Sequence, residues 1–104
     1  MKSMHFCTPL LLESLKKLEN RELFSTIRTG WITHLYPGDT VKINQFQKDS
    51  DDLFLFHAQV EDVFFLKFTK LMETASLYDQ EEINRYGRKF HDDHYFFKII
   101  FRKL

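Results

Sequence analysis

The sequence predicts an α+β fold, a small, curled, mixed β-barrel of about five to six strands with two to three short helices. Three observations predict it. Several segments alternate apolar and polar residues with the two-residue period of a strand. Two short stretches instead repeat apolar residues at helical spacing. The resulting order, β-α-β-β-β-(αα)-β, lacks the regular strand–helix alternation of a βαβ fold. At 104 residues the chain suits one domain, 1–104. Twelve phenylalanines supply large apolar side chains for its core.

In order, Met4-His5-Phe6 reads as a short first strand. Thr8-Pro9 marks a helix start, with Thr8 as cap and Pro9 at the first helical position. Leu11, Leu15 and Leu18 then share one face, with Leu12 beside them. Phe24 to Arg28 alternates as a strand, and Thr29 to His34 follows as a loop. Pro37-Gly38 predicts a sharp turn, because proline pre-sets φ and glycine tolerates a positive one. The turn opens the strand Thr40 to Phe46, with Val41 and Ile43 inward and Thr40 and Lys42 outward.

Gln47 to Asp52 is a polar, acidic hairpin loop; it lacks the glycine and terminal glutamate of a calcium loop. Leu53 to Leu66 is the longest strand-like run, with Phe54, Phe56, Ala58 and Val60 on one face. Its alternation changes phase at Glu61-Asp62, which predicts a bend or bulge. Thr69 to Leu77 is a short helix. Asp79-Gln80-Glu81-Glu82 reads as a capping box for a second one, whose apolar face is Ile83, Tyr86, Gly87 and Phe90. Tyr95 to Phe101 is the last strand, with Tyr95, Phe97, Ile99 and Phe101 on one face. It is expected in the sheet interior, beside a strand from the N-terminal half.

The net charge is zero but unevenly spread. Residues 1–48 carry +3, residues 49–82 carry −7 and residues 83–104 carry +4. If the two ends meet they form one basic surface for a polyanion; otherwise these are solvated faces. No apolar run reaches the ~20 residues of a membrane span, and the first residues lack the apolar stretch of a signal peptide. Cys7 is the sole cysteine, so no internal disulfide forms and a reducing, cytoplasmic setting is expected.

Candidate binding residues follow from chemistry. Arg28, after an apolar strand, can fork onto a phosphate or base edge, or form a structural ion pair. Trp31 can stack on a base or pack in the core. Lys42, Lys98, Arg102 and Lys103 can meet a phosphate backbone or simply face water. His91-Asp92-Asp93-His94 reads as a polar loop rather than a metal site, which needs three or four rigid ligands. No metal and no cofactor is expected.

The element order, with Ser25-Thr26-Ile27-Arg28, Pro37-Gly38-Asp39-Thr40-Val41-Lys42-Ile43, Ala58-Gln59-Val60-Glu61-Asp62-Val63 and Phe97-Lys98-Ile99-Ile100-Phe101, resembles the ASCH domain of the PUA-like superfamily. The length is similar to the small bacterial members that hydrolyse acetylated cytidine. The resemblance implies a PUA-like barrel with a cleft between barrel and helices that holds RNA or a modified nucleoside. The family signature G-x-K-x-x-T-x-R is matched by Thr26 and Arg28, while Arg21 stands at the glycine and Leu23 at the lysine. The glutamate expected three residues after an alanine is Tyr78, counted from Ala75.

Arg21, Thr26, Arg28, Trp31, Lys42 and Lys98 are therefore the candidate ligand contacts, and Thr26 the nucleophile if the domain is an amidohydrolase. Without the lysine and glutamate, binding of RNA or a nucleotide-like ligand is expected rather than turnover. The alternatives are an amidohydrolase acting on a modified cytidine nucleoside and a protein-interaction module using a Phe-rich surface.

Overall fold

The computed structural model describes residues 2–29, 35–85 and 93–104. Their elements are β1 (Lys2–Phe6), α1 (Pro9–Lys16), β2 (Leu23–Arg28), β3 (Thr40–Gln45), β4 (Leu53–Lys67), α2 (Phe68–Glu73), α3 (Leu77–Arg85) and β5 (Tyr95–Lys103). The strands form one mixed sheet in the order β1-β3-β4-β5-β2. Only β1 and β3 run parallel; the other neighbours are antiparallel. β5 lies between β4 and β2, the interior position expected of it.

The turn before β3 forms where Pro37-Gly38 predicts it. Gly38 has φ +95°, and Asp39 N–H donates to the Tyr36 carbonyl at 3.0 Å. That closes a four-residue turn with glycine at the position requiring positive φ. The Gly38 N–H reaches the Val60 carbonyl and the Val60 N–H the Asp39 carbonyl, each at 2.8 Å, so the turn is tied to mid-β4. The phase change in β4 is a register shift between Val60 and Asp62 against β5.

Alternation then sets two apolar layers. On the inner face, Leu11, Leu12 and Leu15 of α1 pack with Phe6, Phe24, Val41, Ile43, Phe56, Ala58, Val60, Ile99 and Phe101. On the opposite face, Ile27 and Phe96 are buried with Leu71 of α2, flanked by Leu66, Phe68 and Ile83. This second layer corrects the single apolar face expected of the last strand. The run Tyr-Phe-Phe-Lys-Ile-Ile-Phe is apolar on both sides, and Phe96 is its fully buried member on the helix-covered side. Phe54, expected on one face with Phe56, Ala58 and Val60, is exposed where those three are buried, beyond a register shift at Ile43/Asn44.

The closed barrel is not formed. β1 and β2 are the two sheet edges, and no ladder joins them among the described residues. The sheet nevertheless curls until the Phe6 and Phe24 rings lie 6.4 Å apart, edge to face. Arg28 Nη2 donates to the His5 carbonyl across this seam at 3.0 Å. A side chain thus takes the acceptor that a closing strand would have used. Among the described residues no helix is long and apolar enough to cross a membrane.

Candidate functional site

The seam between the two edges is where polar side chains collect. Thr26 and Arg28 lie two residues apart on β2, so they project to the same face. That face is the inner one, since Thr26 pairs with Ile99 and Arg28 with Phe97. The Arg28 guanidinium also covers the Phe6 ring at 4.8 Å, a cation–π contact that fixes its height. A cleft of about 390 Å³ opens there, lined by His5, Cys7, Arg28, Glu82 and Arg85. A hollow of about 600 Å³ lies elsewhere, bounded by Phe54, Phe56, His57 and Lys103. It is largely apolar, and its Lys103 is spent on the Leu18 carbonyl. The smaller cleft brings together the charged groups and is the better candidate.

The junction of α1 and α3 builds the far wall of the cleft. Thr8 caps α1 by position, but its hydroxyl makes no capping bond. It donates instead to Glu82 Oε1 at 2.7 Å, with both residues buried. The exposed donors of the α1 N-terminus go to the neighbouring carboxylate: the N–H groups of Leu10 and Leu11 reach Glu81 at 3.1 and 3.2 Å. A negative charge there also suits the helix dipole. Two successive glutamates of α3 therefore hold the start of α1.

The capping box that orients α3 sits three residues earlier than the sequence suggests. Ser76 N–H donates to Asp79 Oδ2, and Asp79 N–H to Ser76 Oγ, both at 3.1 Å. This reciprocal pair makes Ser76 the cap and Asp79 its third-position partner. Glu82 is thereby released from capping and turned toward Thr8. Asp79, one turn before Glu82, is 1% exposed and ion-paired to Lys98 Nζ at 3.3 Å.

Three atoms near the seam are buried without a hydrogen-bond partner among the described residues: Thr26 Oγ1, Arg28 Nε and Gln45 Oε1. Gln45 belongs here because it pairs with Phe6 in the β1–β3 ladder. Neither Arg28 nor Arg85 makes an ion pair among the described residues. The arrangement can hold an anionic or carbonyl-bearing group against Arg28, with hydroxyl and carboxylate groups close by.

The other expected contacts fall elsewhere. Lys98 pairs with Ile27, which puts it on the opposite face from Thr26, neutralised by Asp79. Arg21 sits at the other end of β2, seven residues and roughly 23 Å along the strand from Arg28. Its backbone is left-handed, φ +72°, and its carbonyl accepts from Arg102. Lys42 lies over the Phe54 ring and pairs with His57, level with the end of β5 rather than with Lys98. Arg102 is paired with Glu61, so the basic chain ends do not merge into one surface around Lys98 and Arg102. Trp31 and His91-Asp92 lie outside the described residues.

His5, Cys7, Glu82 and Arg85 are cleft residues that the sequence does not mark as ligand contacts; Glu82 reads there as part of a capping box. The overlooked signal was the serine three residues before Asp79. Among the described residues no cluster of three or more His, Cys, Asp or Glu side chains is placed to hold a metal ion. The turn also carries a carboxylate with a perturbed acidity. Asp39 is held below the ordinary carboxylate value by the Lys2 ammonium hydrogen-bonded to it at 2.6 Å, and then by the Tyr36 N–H.

Fold and site together define a small α+β protein with an open, curled five-stranded sheet and a polar cleft at its seam. No protein family, curated protein or solved structure matches the chain.

Proposed function

We propose that the chain is an ASCH-type, PUA-like domain whose seam cleft binds RNA or a nucleotide-like ligand, with Arg28 as the anchor. In this reading the near-closure of the sheet by Arg28 corresponds to the family's barrel, and the gap under α3 to its ligand cleft. The observation that carries it is the state of Arg28. Among the described residues one guanidinium nitrogen is fixed on a backbone carbonyl, the buried Nε has no partner, and no carboxylate neutralises the charge. A guanidinium oriented in advance and lacking a counter-ion suits a phosphate or base edge.

Titration of a labelled single-stranded RNA at several salt concentrations tests this. Arg28→Ala weakens binding and lowers the slope of log affinity against log salt by about one phosphate contact. A folded Arg28→Ala variant with the unaltered curve refutes the cleft reading.

Amide hydrolysis of a modified cytidine is the second reading, favoured by the buried Thr8–Glu82 pair beside the cleft. A carboxylate accepting a threonine proton is the arrangement that activates a hydroxyl nucleophile. Thr26 has no such base among its described neighbours. Incubation with acetylcytidine is expected to give binding without turnover. Rapid cytidine release that is lost in Glu82→Gln identifies the hydrolase instead.

A further inference from the structure

The inner face of the sheet continues past the core as a row of open aromatic rings, with Arg28 at one side. Cross-strand pairing sets Arg28, Phe97 and Phe65 abreast on β2, β5 and β4, and Tyr95 beside Lys67 in the next row. Phe65 is 59% exposed and Tyr95 43% exposed. Their rings stack, with centroids 4.6 Å apart and planes 23° from parallel, and Phe97 lies 4.8 Å from Phe65 on the other side. Lys67 Nζ stands 6.0 Å from the centre of the Tyr95 ring. Its ion pair with Asp93 is loose, 3.8 Å, and Asp93 is almost fully exposed, so a phosphate can replace that partner at little cost.

We propose that this aromatic ladder is a stacking platform for unpaired bases of single-stranded RNA, with Arg28 and Lys67 taking the flanking phosphates. The inference rests on the RNA reading of the seam cleft and assigns it a second contact surface. The open ring area is small, roughly 200 Å² taking ~200 Å² per ring and the exposures of Phe65 and Tyr95. A stable protein interface needs ~800 Å² on each partner, whereas one or two bases cover an area of this size. Lys67 beside the Tyr95 ring, and Arg28 on the strand next to Phe97 in register, match a strand whose bases offer π faces and whose backbone is anionic.

Fluorescence anisotropy with a labelled single-stranded RNA octamer and the full chain tests the platform. Phe65→Ala and Tyr95→Ala are each expected to weaken binding by about 5- to 150-fold. Phe65→Tyr, which keeps the ring, stays within about threefold. The salt slope stays as in the parent chain in the ring variants and falls in Arg28→Gln. Blunt duplex RNA, whose bases are already stacked, binds at least about tenfold more weakly. Thermal unfolding checks that the ring variants remain folded.

Unchanged affinity in folded Phe65→Ala, with Arg28→Gln still weakening binding, overturns the platform and leaves the cleft standing. Absence of RNA binding by the parent chain overturns both. Self-association that Phe65→Ala abolishes, with RNA affinity unaltered, makes the ladder a protein contact and overturns the proposal.

Discussion

Thr26→Val separates a residue kept for stability from one kept for binding. The two side chains have nearly the same shape, and both suit a strand. Thr26 is 1% exposed, and its hydroxyl has no partner among the described residues. A buried hydroxyl left unpaired costs about 1–3 kcal/mol relative to one that is hydrogen-bonded. Replacing it with a methyl group removes that cost and keeps the side chain's size beside its cross-strand neighbour Ile99. The expected gain is about 1 kcal/mol. In a domain of this size that raises Tm by roughly 4–8 °C.

Ligand affinity moves in the opposite direction. If the hydroxyl meets the ligand bound at Arg28, its loss removes one hydrogen bond, about 0.5–1.5 kcal/mol, or roughly two- to twelvefold in Kd. The assays are thermal unfolding by circular dichroism and RNA titration on the same preparation. A Thr26→Val variant less stable by 1 kcal/mol or more refutes the reasoning, because the hydroxyl then has a structural partner. A stabilised variant with unaltered affinity keeps the stability argument and removes Thr26 from the binding site.

Two further outcomes follow from the same geometry. Thr8→Val leaves the buried Glu82 carboxylate without its 2.7 Å donor and is expected to cost about 2 kcal/mol, whereas Glu82→Gln keeps an acceptor for Thr8 and costs under about 1 kcal/mol; equal costs in denaturant melts contradict the pairing. At the turn, Asp39 is expected to titrate below 3.8 by NMR and to return toward 3.8 in Lys2→Gln. Because its folded pKa is depressed, its contribution to stability is present above the unfolded value and is lost as pH falls through the folded one. The stability difference between the parent chain and Lys2→Gln should therefore shrink below pH 3.8; a difference that persists in stronger acid contradicts the assignment.

The sheet was legible in the sequence where one face is apolar and the other polar. Val41 and Ile43 against Thr40 and Lys42 fix the register of β3, and the phase change at Glu61-Asp62 fixes the bulge of β4. Legibility failed where both faces are apolar, as at Phe96, because alternation carries no information there. It failed at α3 for a different reason. Ser76-x-x-Asp79 and Asp79-x-x-Glu82 are overlapping frames of one capping signal. Only the earlier frame leaves Glu82 free to meet Thr8, and local sequence does not choose between them. The conditional basic surface gains no support at Lys98 and Arg102, because a charge sum along the chain does not see ion pairs. Sheet and helix packing set Lys98 on Asp79 and Arg102 on Glu61, so the acidic middle segment neutralises part of the basic C-terminal one.

The site's place in the fold follows from the same pairing logic. A closed barrel satisfies the backbone of every strand, and its interior then needs only apolar side chains. Here β1 and β2 face each other without a ladder, and a guanidinium spans the gap to the His5 carbonyl. Among the described residues, the three buried polar atoms without partners, on Thr26, Arg28 and Gln45, belong to the strands at or next to that gap. At ~1–3 kcal/mol each, against a total stability of ~5–15 kcal/mol, they are a large concession for a fold to make at one place. A gap lined only for packing would be filled by apolar side chains, as the two layers on either face of the sheet are. Polar groups held there unpaired would gain partners from a ligand with complementary groups, which is what the proposed binding role asks of the unclosed seam.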